Sequence, residues 1–329
     1  MLSQKISIDK ILKISSPQEF NEFAIVVFRY QYINNPVYKK YVDLLGVNVD
    51  LVKEITKIPF LPIEFFRSQQ VITGTRKVET IFTSSGTTSE NPGKHYVPDL
   101  SVYDKSMLKG FTRFYGNPKD YIFLALLPSY LEREGSSLVY MVNQLINLSG
   151  SKLSGFYLND LDALVKALEI TKTAGKKVIL LGVTYALLDL IENYTIDYPE
   201  LIVMETGGMK GKRKEITRPE LHSILKKGFN VNSIHSEYGM TELLSQAYSK
   251  EKGIFYCPDW MKIVLRDTND PLTPSHSNTG GINVIDLANI NSCAFIATQD
   301  LGRMHDDGGF EVLGRFDNAA IRGCNLLIA

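Results

Sequence analysis

The spacing of apolar residues changes twice along the chain. Over residues 1–75 they recur at helical intervals with clear punctuation: Ser16-Pro17-Gln18-Glu19 is a capping box with proline at the first helical position, and Asn35-Pro36 opens a second helix that can stop at Gly46. Over residues 76–250 short apolar runs alternate with amphipathic stretches. Extended segments at 78–82 and 96–98 flank a hydroxyl-rich loop, and a helical pattern follows at 99–115. The run YIFLALL, 121–127, is continuous enough to be a buried strand. Helices at 136–148 and 160–174, a strand at 177–182, a helix at 184–192 and a strand at 201–206 continue the alternation. Thr217-Arg218-Pro219-Glu220 caps one more helix before a strand at 230–235. Such alternation predicts an α/β fold with a mostly parallel, doubly wound sheet. After residue 250 only short β-rich segments remain, at 254–256, 261–265, 281–287, 293–298 and 310–313, which predicts a smaller β-rich subdomain packed on that sheet.

Composition narrows the chemistry. With 44% apolar residues in 329, an ordinary core is available, and Lys plus Arg equals Asp plus Glu at 36 each. No global field draws the chain to nucleic acid or an anionic membrane, so any anion site is local. There is no apolar run of about 18 residues and no basic-then-apolar leader, and the reading is a soluble, cytoplasmic protein without a membrane span. Cys257, Cys293 and Cys324 form no CxxC pair, which argues against a structural zinc site or a disulfide framework.

The loop FTSSGTTSENPGK, 82–94, collects hydroxyls and glycines and closes on Lys94, the composition of a phosphate cradle. It is not a nucleotide-binding P-loop: six residues separate Gly86 from Gly93, and Lys94 is followed by His95 and extended chain rather than by Ser or Thr and a helix. Strand, loop, strand reads as a phosphate-gripping hairpin, with a surface loop as the alternative. In open α/β sheets ligands bind beyond the carboxyl ends of the strands. Three turns stand there. GGMKGK, 207–212, allows close backbone approach or is an exposed basic turn. YGMTE, 238–242, offers an aromatic plate, a flexible glycine, a hydroxyl and a carboxylate, although Glu242 also suits the opening of a helix. TQDLG, 298–302, puts Asp300 in a turn after a buried strand, a common arrangement in its own right.

In this order TSSGTTS, GGMKGK, YGMTE, TQDLG and the closing LGRFD resemble the successive core motifs of the adenylate-forming superfamily, which holds acyl- and aryl-CoA synthetases, adenylation domains and luciferases. The resemblance spans roughly residues 75–323, and TSSGTTS and YGMTE are its specific parts. The short length, the helical start, the METGGMKGK run and the ending LGRFDNAAIRGC look most like the acyl-protein synthetases of bacterial luminescence operons, the long-chain-fatty-acid protein ligases. Phenylacetate-CoA ligases are more distant.

The resemblance implies ATP and Mg2+ as cofactors and assigns roles. Thr83, Ser84, Ser85, Gly86, Thr87, Thr88, Ser89 and Lys94 would hold the β and γ phosphates. Tyr238, followed by Gly239, would stack on adenine beside the Gly207, Gly208 and Met209 backbone. Thr241 would donate to the α-phosphate, Glu242 would help hold magnesium, and Asp300 would accept from the ribose hydroxyls with Arg315 nearby. A cysteine near the C-terminus accepts the acyl group in the luminescence enzymes, and Cys324, after Arg322-Gly323, is the matching position; an arginine there favours the thiolate. Cys293, in the apolar run CAFIAT, reads as inert, and Cys257 is open. The substrate would be a carboxylic acid, a fatty acid by likeness, and the partner an acyl-acceptor protein or a reductase. Phe65, Phe66, Tyr185 and Leu187 are candidates for the acid pocket, or core.

Two features depart from the pattern. Glu90-Asn91 precede Pro92, and Gly93 precedes Lys94, which unsettles the role of Lys94. The chain also ends just past the hinge motif, which implies an N-terminal adenylate-forming domain over 1–313 (helical preface 1–75, α/β part 76–250, β-rich subdomain 251–313) and a hinge and tail at 314–329, with the C-terminal domain and its lysine lacking. Lys210 or Lys212 would then serve, or adenylation is slow, or a partner completes the site. The other readings are a CoA ligase of the phenylacetate type and a non-catalytic nucleotide- or acyl-binding subunit.

Overall fold

The helices start where the polar caps stand. The structure, a computed structural model, describes residues 6–84, 92–127, 135–158, 160–208, 213, 214 and 216–316. After the single turn α1 (Ile8–Ile11), helix α2 (Pro17–Asn34) opens with the Ser16 hydroxyl accepting the Glu19 amide at 3.2 Å. The Glu19 carboxylate returns to the Ser15 amide at 2.9 Å, one residue earlier than the simple box predicts. Helix α3 (Pro36–Leu44) is capped by Asn35, and the chain leaves it through Gly46 at φ +66.

The first 75 residues join the β-rich part of the molecule. Strand β1 (Leu61–Pro62) precedes the short helix α4 (Phe65–Ser68) and pairs in parallel with β12 (Phe295–Met304). The buried Gln31 amide of α2 donates to Asn289 O, Ile290 O and Ser292 O at 2.9, 3.1 and 3.2 Å and accepts the Ala294 amide at 2.9 Å. An aromatic knot of Phe28, Tyr38, Phe60 and Phe295 seals the contact. Each such ring pair contributes about 0.5–1.5 kcal/mol beyond the area buried.

The hydroxyl loop is carried by an antiparallel hairpin, β2 (Thr80–Thr83) and β3 (Lys94–Val97), as the sequence predicts. Helix α5 (Leu100–Tyr115) then leads into the α/β layer. Its elements are β4 (Tyr121–Leu126), α6 (Ser137–Ser149), β5 (Gly155–Phe156), α7 (Leu161–Thr171), β6 (Lys177–Val183), α8 (Thr184–Asn193), β7 (Ile202–Thr206), α9 (Arg218–Phe229), β8 (Ile234–Tyr238) and β9 (Ala247–Ser249). Their sheet has the order β5-β4-β6-β7-β8-β9, parallel throughout except for β9. Every residue of β4 is buried, which explains its unbroken apolar run. The second sheet, β1-β12-β11-β10, comprises β1, β12, β11 (Thr279–Asp286) and β10 (Met261–Arg266), with β13 (Phe310–Arg315) also on β12.

Four local expectations change. Strands β5 and β9, of two and three residues, carry too little pattern to be read. Strand β8 starts at Ile234 rather than at 230, because Asn230 takes a left-handed conformation at φ +52 that ends α9. Residues 254–256 supply only bridge pairs, Phe255 to Phe310 and Tyr256 to Tyr248. TQDLG is not a turn: β12 runs straight through it, with an irregularity in its pairing to β13 at Leu301 and Gly302. Among the described residues no helix is long and apolar enough to cross a membrane.

Candidate active site

Beyond the carboxyl ends of β7 and β8 the predicted motifs meet. Strand β8 ends on Tyr238, and the chain turns through Gly239, Met240 and Thr241 to Glu242 without opening a helix, so Glu242 is not a helix-dipole partner. The turn is held from below by buried groups that follow or end β11. Asp286 accepts the Leu244 and Ser245 amides at 2.8 and 3.0 Å and the Ser245 hydroxyl at 2.6 Å, while the Asn289 amide donates to Glu242 O at 2.6 Å. Neither residue was singled out in the sequence, where an Asp ending an apolar strand carries no distinguishing signal.

The hairpin docks on the other side of this turn. At its neck the Ser84 amide donates to Gly93 O at 2.9 Å, and the Gly93 amide donates to Ser84 Oγ at 2.8 Å. A Cβ on Gly93 would lie 2.6 Å from Glu242 Oε1, so the glycine is what allows the carboxylate to rest against the neck of the loop. Next to the neck, the Thr83 amide donates to Gly135 O at 2.8 Å, in the connection that follows β4. One residue past Lys94, the buried His95 ring has Nδ1 2.8 Å from Thr241 O. Burial brings its pKa down to about 4, leaving the ring neutral. Alternation along β3 puts exposed Lys94 on the strand face opposite Gly93 and His95, away from Thr241 and Glu242.

Glu242 is 5% exposed, and burial pushes its carboxyl up to about 7, with Arg315 and Arg67 pulling it back down and Asp300 adding to the rise. Asp300 sits beside it on β12, paired across to Arg315 on β13, whose Nε donates to Asp300 Oδ1 at 3.2 Å. The Tyr238 hydroxyl donates to Asp300 Oδ2 at 2.9 Å, and the Tyr238 ring is buried against Phe255 and Phe310. The residues expected at adenine and at ribose are therefore bonded to each other. Gly207 and Gly208 stand exposed after β7, Gly207 at φ +70, where only glycine is unstrained.

Beneath the turn, Glu205 and Thr206 of β7 lie across from Ser236 and Glu237 of β8. Burial alone would push Glu205 up, yet His222 and Arg218 hold it below the ordinary carboxylate value. Glu237 accepts from the Thr206 hydroxyl at 2.5 Å and is raised to about 7 by burial, with Glu205 adding to the rise. Phe66 and Leu187, weighed for an acid pocket, are core: Phe66 packs edge-on against His95, and Leu187 lies against Gly182. Cys293 is buried with its thiol pushed up to about 12, and burial likewise raises Cys257. Ser85, Gly86, Thr87, Thr88, Ser89, Met209, Lys210, Lys212 and Cys324 lie outside the described residues.

The donor set present fits magnesium. One buried carboxylate stands beside the Ser84 hydroxyl, and among the described residues no group of three His, Cys, Asp or Glu converges. Magnesium takes one or two carboxylates and fills its shell with water and phosphate.

The sequence matches no family model and no curated protein. Solved structures do match. 2-Hydroxyisobutyryl-CoA ligase in the postadenylation state with 2-HIB-AMP superposes with TM-score 0.70 at 12% identity, over 92% of this chain and 68% of that one. An open conformation of that ligase with 2-HIB-AMP and CoA gives 0.68 at 13% identity, over 92% and 70%. ATP-bound MatB from Rhodopseudomonas palustris gives 0.53 at 15% identity, over 74% of this chain and 49% of that one. The fold is that of the large N-terminal domain of adenylate-forming ligases.

Proposed function

We propose that the protein activates a carboxylic acid with ATP, forming an acyl-adenylate and releasing pyrophosphate, and passes the acyl group to a thiol. The observation that supports this most is the meeting of the hydroxyl-loop neck with Glu242, because it sets a polyanion cradle against a single carboxylate suited to magnesium. In this reading residues 83–89 hold the β and γ phosphates, Thr241 donates to the α-phosphate, Glu242 with the adjoining hydroxyls holds the ion, and Asp300 with Arg315 holds the ribose. An ion held there would neutralise phosphate charge. The protein orients: a substrate carboxylate oxygen attacks the α-phosphorus, the bond to pyrophosphate breaks, and the fixed donors stabilise the charge that shifts onto the phosphate oxygens. In this reading the Gly207, Gly208 and Met209 backbone borders adenine, and Tyr238, buried and bonded to Asp300, supports the nucleotide site from behind that carboxylate. Lys94 lies on the strand face away from the metal turn, so in this reading it meets phosphate away from Glu242.

The acceptor in this proposal is Cys324. Its thiolate attacks the acyl carbonyl, a thioester forms, and AMP leaves with its electron pair. Cys293 is a poor alternative, since burial keeps its thiol protonated, and the half-buried Cys257 is raised in the same direction. A fatty acid is the substrate by the sequence resemblance. CoA as acceptor is the second reading, favoured by the likeness to a ligase solved with CoA.

The test combines ATP–pyrophosphate exchange across a panel of carboxylic acids with labelled fatty acid and neutral hydroxylamine. Acid-dependent exchange is expected, with hydroxylamine-sensitive label that disappears in Cys324→Ser while exchange persists. Label retained in Cys324→Ser removes the cysteine from the mechanism, and consumption of CoA selects the second reading. ATP binding without exchange leaves a nucleotide-binding subunit.

A further inference from the structure

The strand that follows the hydroxyl loop presents its two inward positions to the turn carrying Thr241 and Glu242. Gly93 gives room to the carboxylate, and His95, two residues on and on the same face, reaches the Thr241 carbonyl at 2.8 Å. A carbonyl only accepts, so His95 Nδ1 carries the proton and Nε2 is left with its lone pair. That Nε2 is buried and, among the described residues, has no hydrogen-bond partner. A buried acceptor left unsatisfied costs about 1–3 kcal/mol, which an apolar ring of similar size would avoid. Packing does not ask for histidine here; the Phe66 ring, edge-on at 5.8 Å, would accept a phenyl group equally well. What histidine supplies and a phenyl ring does not is an N–H aimed at Thr241 O.

We infer that His95 is a positioning residue that fixes the Thr241–Glu242 turn to the second arm of the phosphate hairpin, so that the two anion-holding segments are held as one piece. The inference rests on the acyl-adenylate reading for its catalytic consequence, but the contact itself stands on geometry. Asp286 and Asn289 hold the turn from the β-rich side, and His95 holds it from the hairpin side. Releasing the hairpin side lets the Glu242 carboxylate drift relative to the loop neck while the Asp300 and Arg315 contacts stay in place.

Two substitutions separate the roles. His95→Phe keeps the ring against Phe66 and removes the donor; His95→Asn keeps an N–H close to where Nδ1 stands. In ATP–pyrophosphate exchange, kcat should fall roughly 100-fold in His95→Phe, the scale of an ångström-sized misplacement, with KM for ATP within about threefold of wild type. His95→Asn should recover most of that loss. Two further measurements need no activity. Hydrogen exchange of the 240–245 amides should quicken about tenfold in His95→Phe and not in His95→Asn. Long-range proton–nitrogen NMR of the 5 histidines, with His95→Asn to assign the missing signal, should show His95 neutral with the proton on Nδ1. A proton on Nε2, or unchanged amide exchange in His95→Phe, overturns the inference. Wild-type protein without acid-dependent exchange overturns the ligase reading itself, while tautomer and amide exchange still decide whether His95 holds the turn.

Discussion

Replacing Glu237 by Gln tests the electrostatics under the site. The Glu237 carboxyl is 7% exposed, lies beside Gly239 and accepts from Thr206, and burial raises it from 4.5 to about 7. Between those values the native state binds more protons than the unfolded chain, so stability falls as pH rises through the window. At 1.36 kcal/mol per pH unit, the interval from 4.5 to about 7 corresponds to a penalty of about 3 kcal/mol once the group is fully ionised. Glutamine keeps an acceptor for Thr206 and removes the charge. Relative to wild type, Glu237→Gln should therefore gain about 1 kcal/mol at pH 5 and about 3 kcal/mol at pH 8. Guanidinium unfolding of both proteins at the two pH values measures this directly, and because Glu242 is present in both, its own titration cancels. A stability difference that is the same at pH 5 and pH 8 would refute the reasoning.

At the site itself, Glu242→Gln should lower pyrophosphate exchange at least 100-fold without lowering the unfolding temperature at pH 8, since it removes a buried carboxyl that is costly to ionise there; unchanged exchange removes Glu242 from the metal turn. Asp300→Ala should weaken ATP binding by calorimetry and, contrary to what an exposed turn would allow, cost about 1–3 kcal/mol of stability by orphaning the Tyr238 hydroxyl. If Tyr238→Phe makes the same substitution stability-neutral, that origin is established. Gly93→Ala, whose Cβ would stand 2.6 Å from Glu242 Oε1, should reduce exchange more than it reduces stability. In Cys324→Ser, thiol titration of the native protein at pH 8 should find Cys293 unreactive until denaturant is added.

Much of this was readable from spacing alone. The alternation from 121 to 238 gives the parallel strands of five residues or more because their apolar runs are buried along almost their whole length, and the caps at Ser16, Asn35 and Thr217 fix helix starts by local hydrogen bonds. The site's polypeptide motifs were legible too, as residue types of unusual order. What escaped was long-range. Two-residue β1 exists because β12 offers an edge, and TQDLG continues as strand because β13 pairs with it. No local pattern carries that. Glu242 read as an exposed cap because its burial comes from the hairpin folding over it, and His95 and Asn289 gain meaning only from carbonyls across the fold, His95 from one 146 positions away.

The pairing of β1 with β12, and the grip of Gln31 on carbonyls 258 to 261 residues downstream, bear on how the chain is made. Synthesis is vectorial, at about 5–20 residues per second. Roughly 220 residues separate the end of the first segment from β12, so about 10–45 s elapse before its partner leaves the ribosome. During that interval Phe28, Tyr38 and Phe60 lack Phe295, the ring that all three meet in the folded protein. A chain truncated before residue 295 should therefore leave these rings without their common partner and β1 without the strand it pairs with, which limited proteolysis of such a fragment would measure.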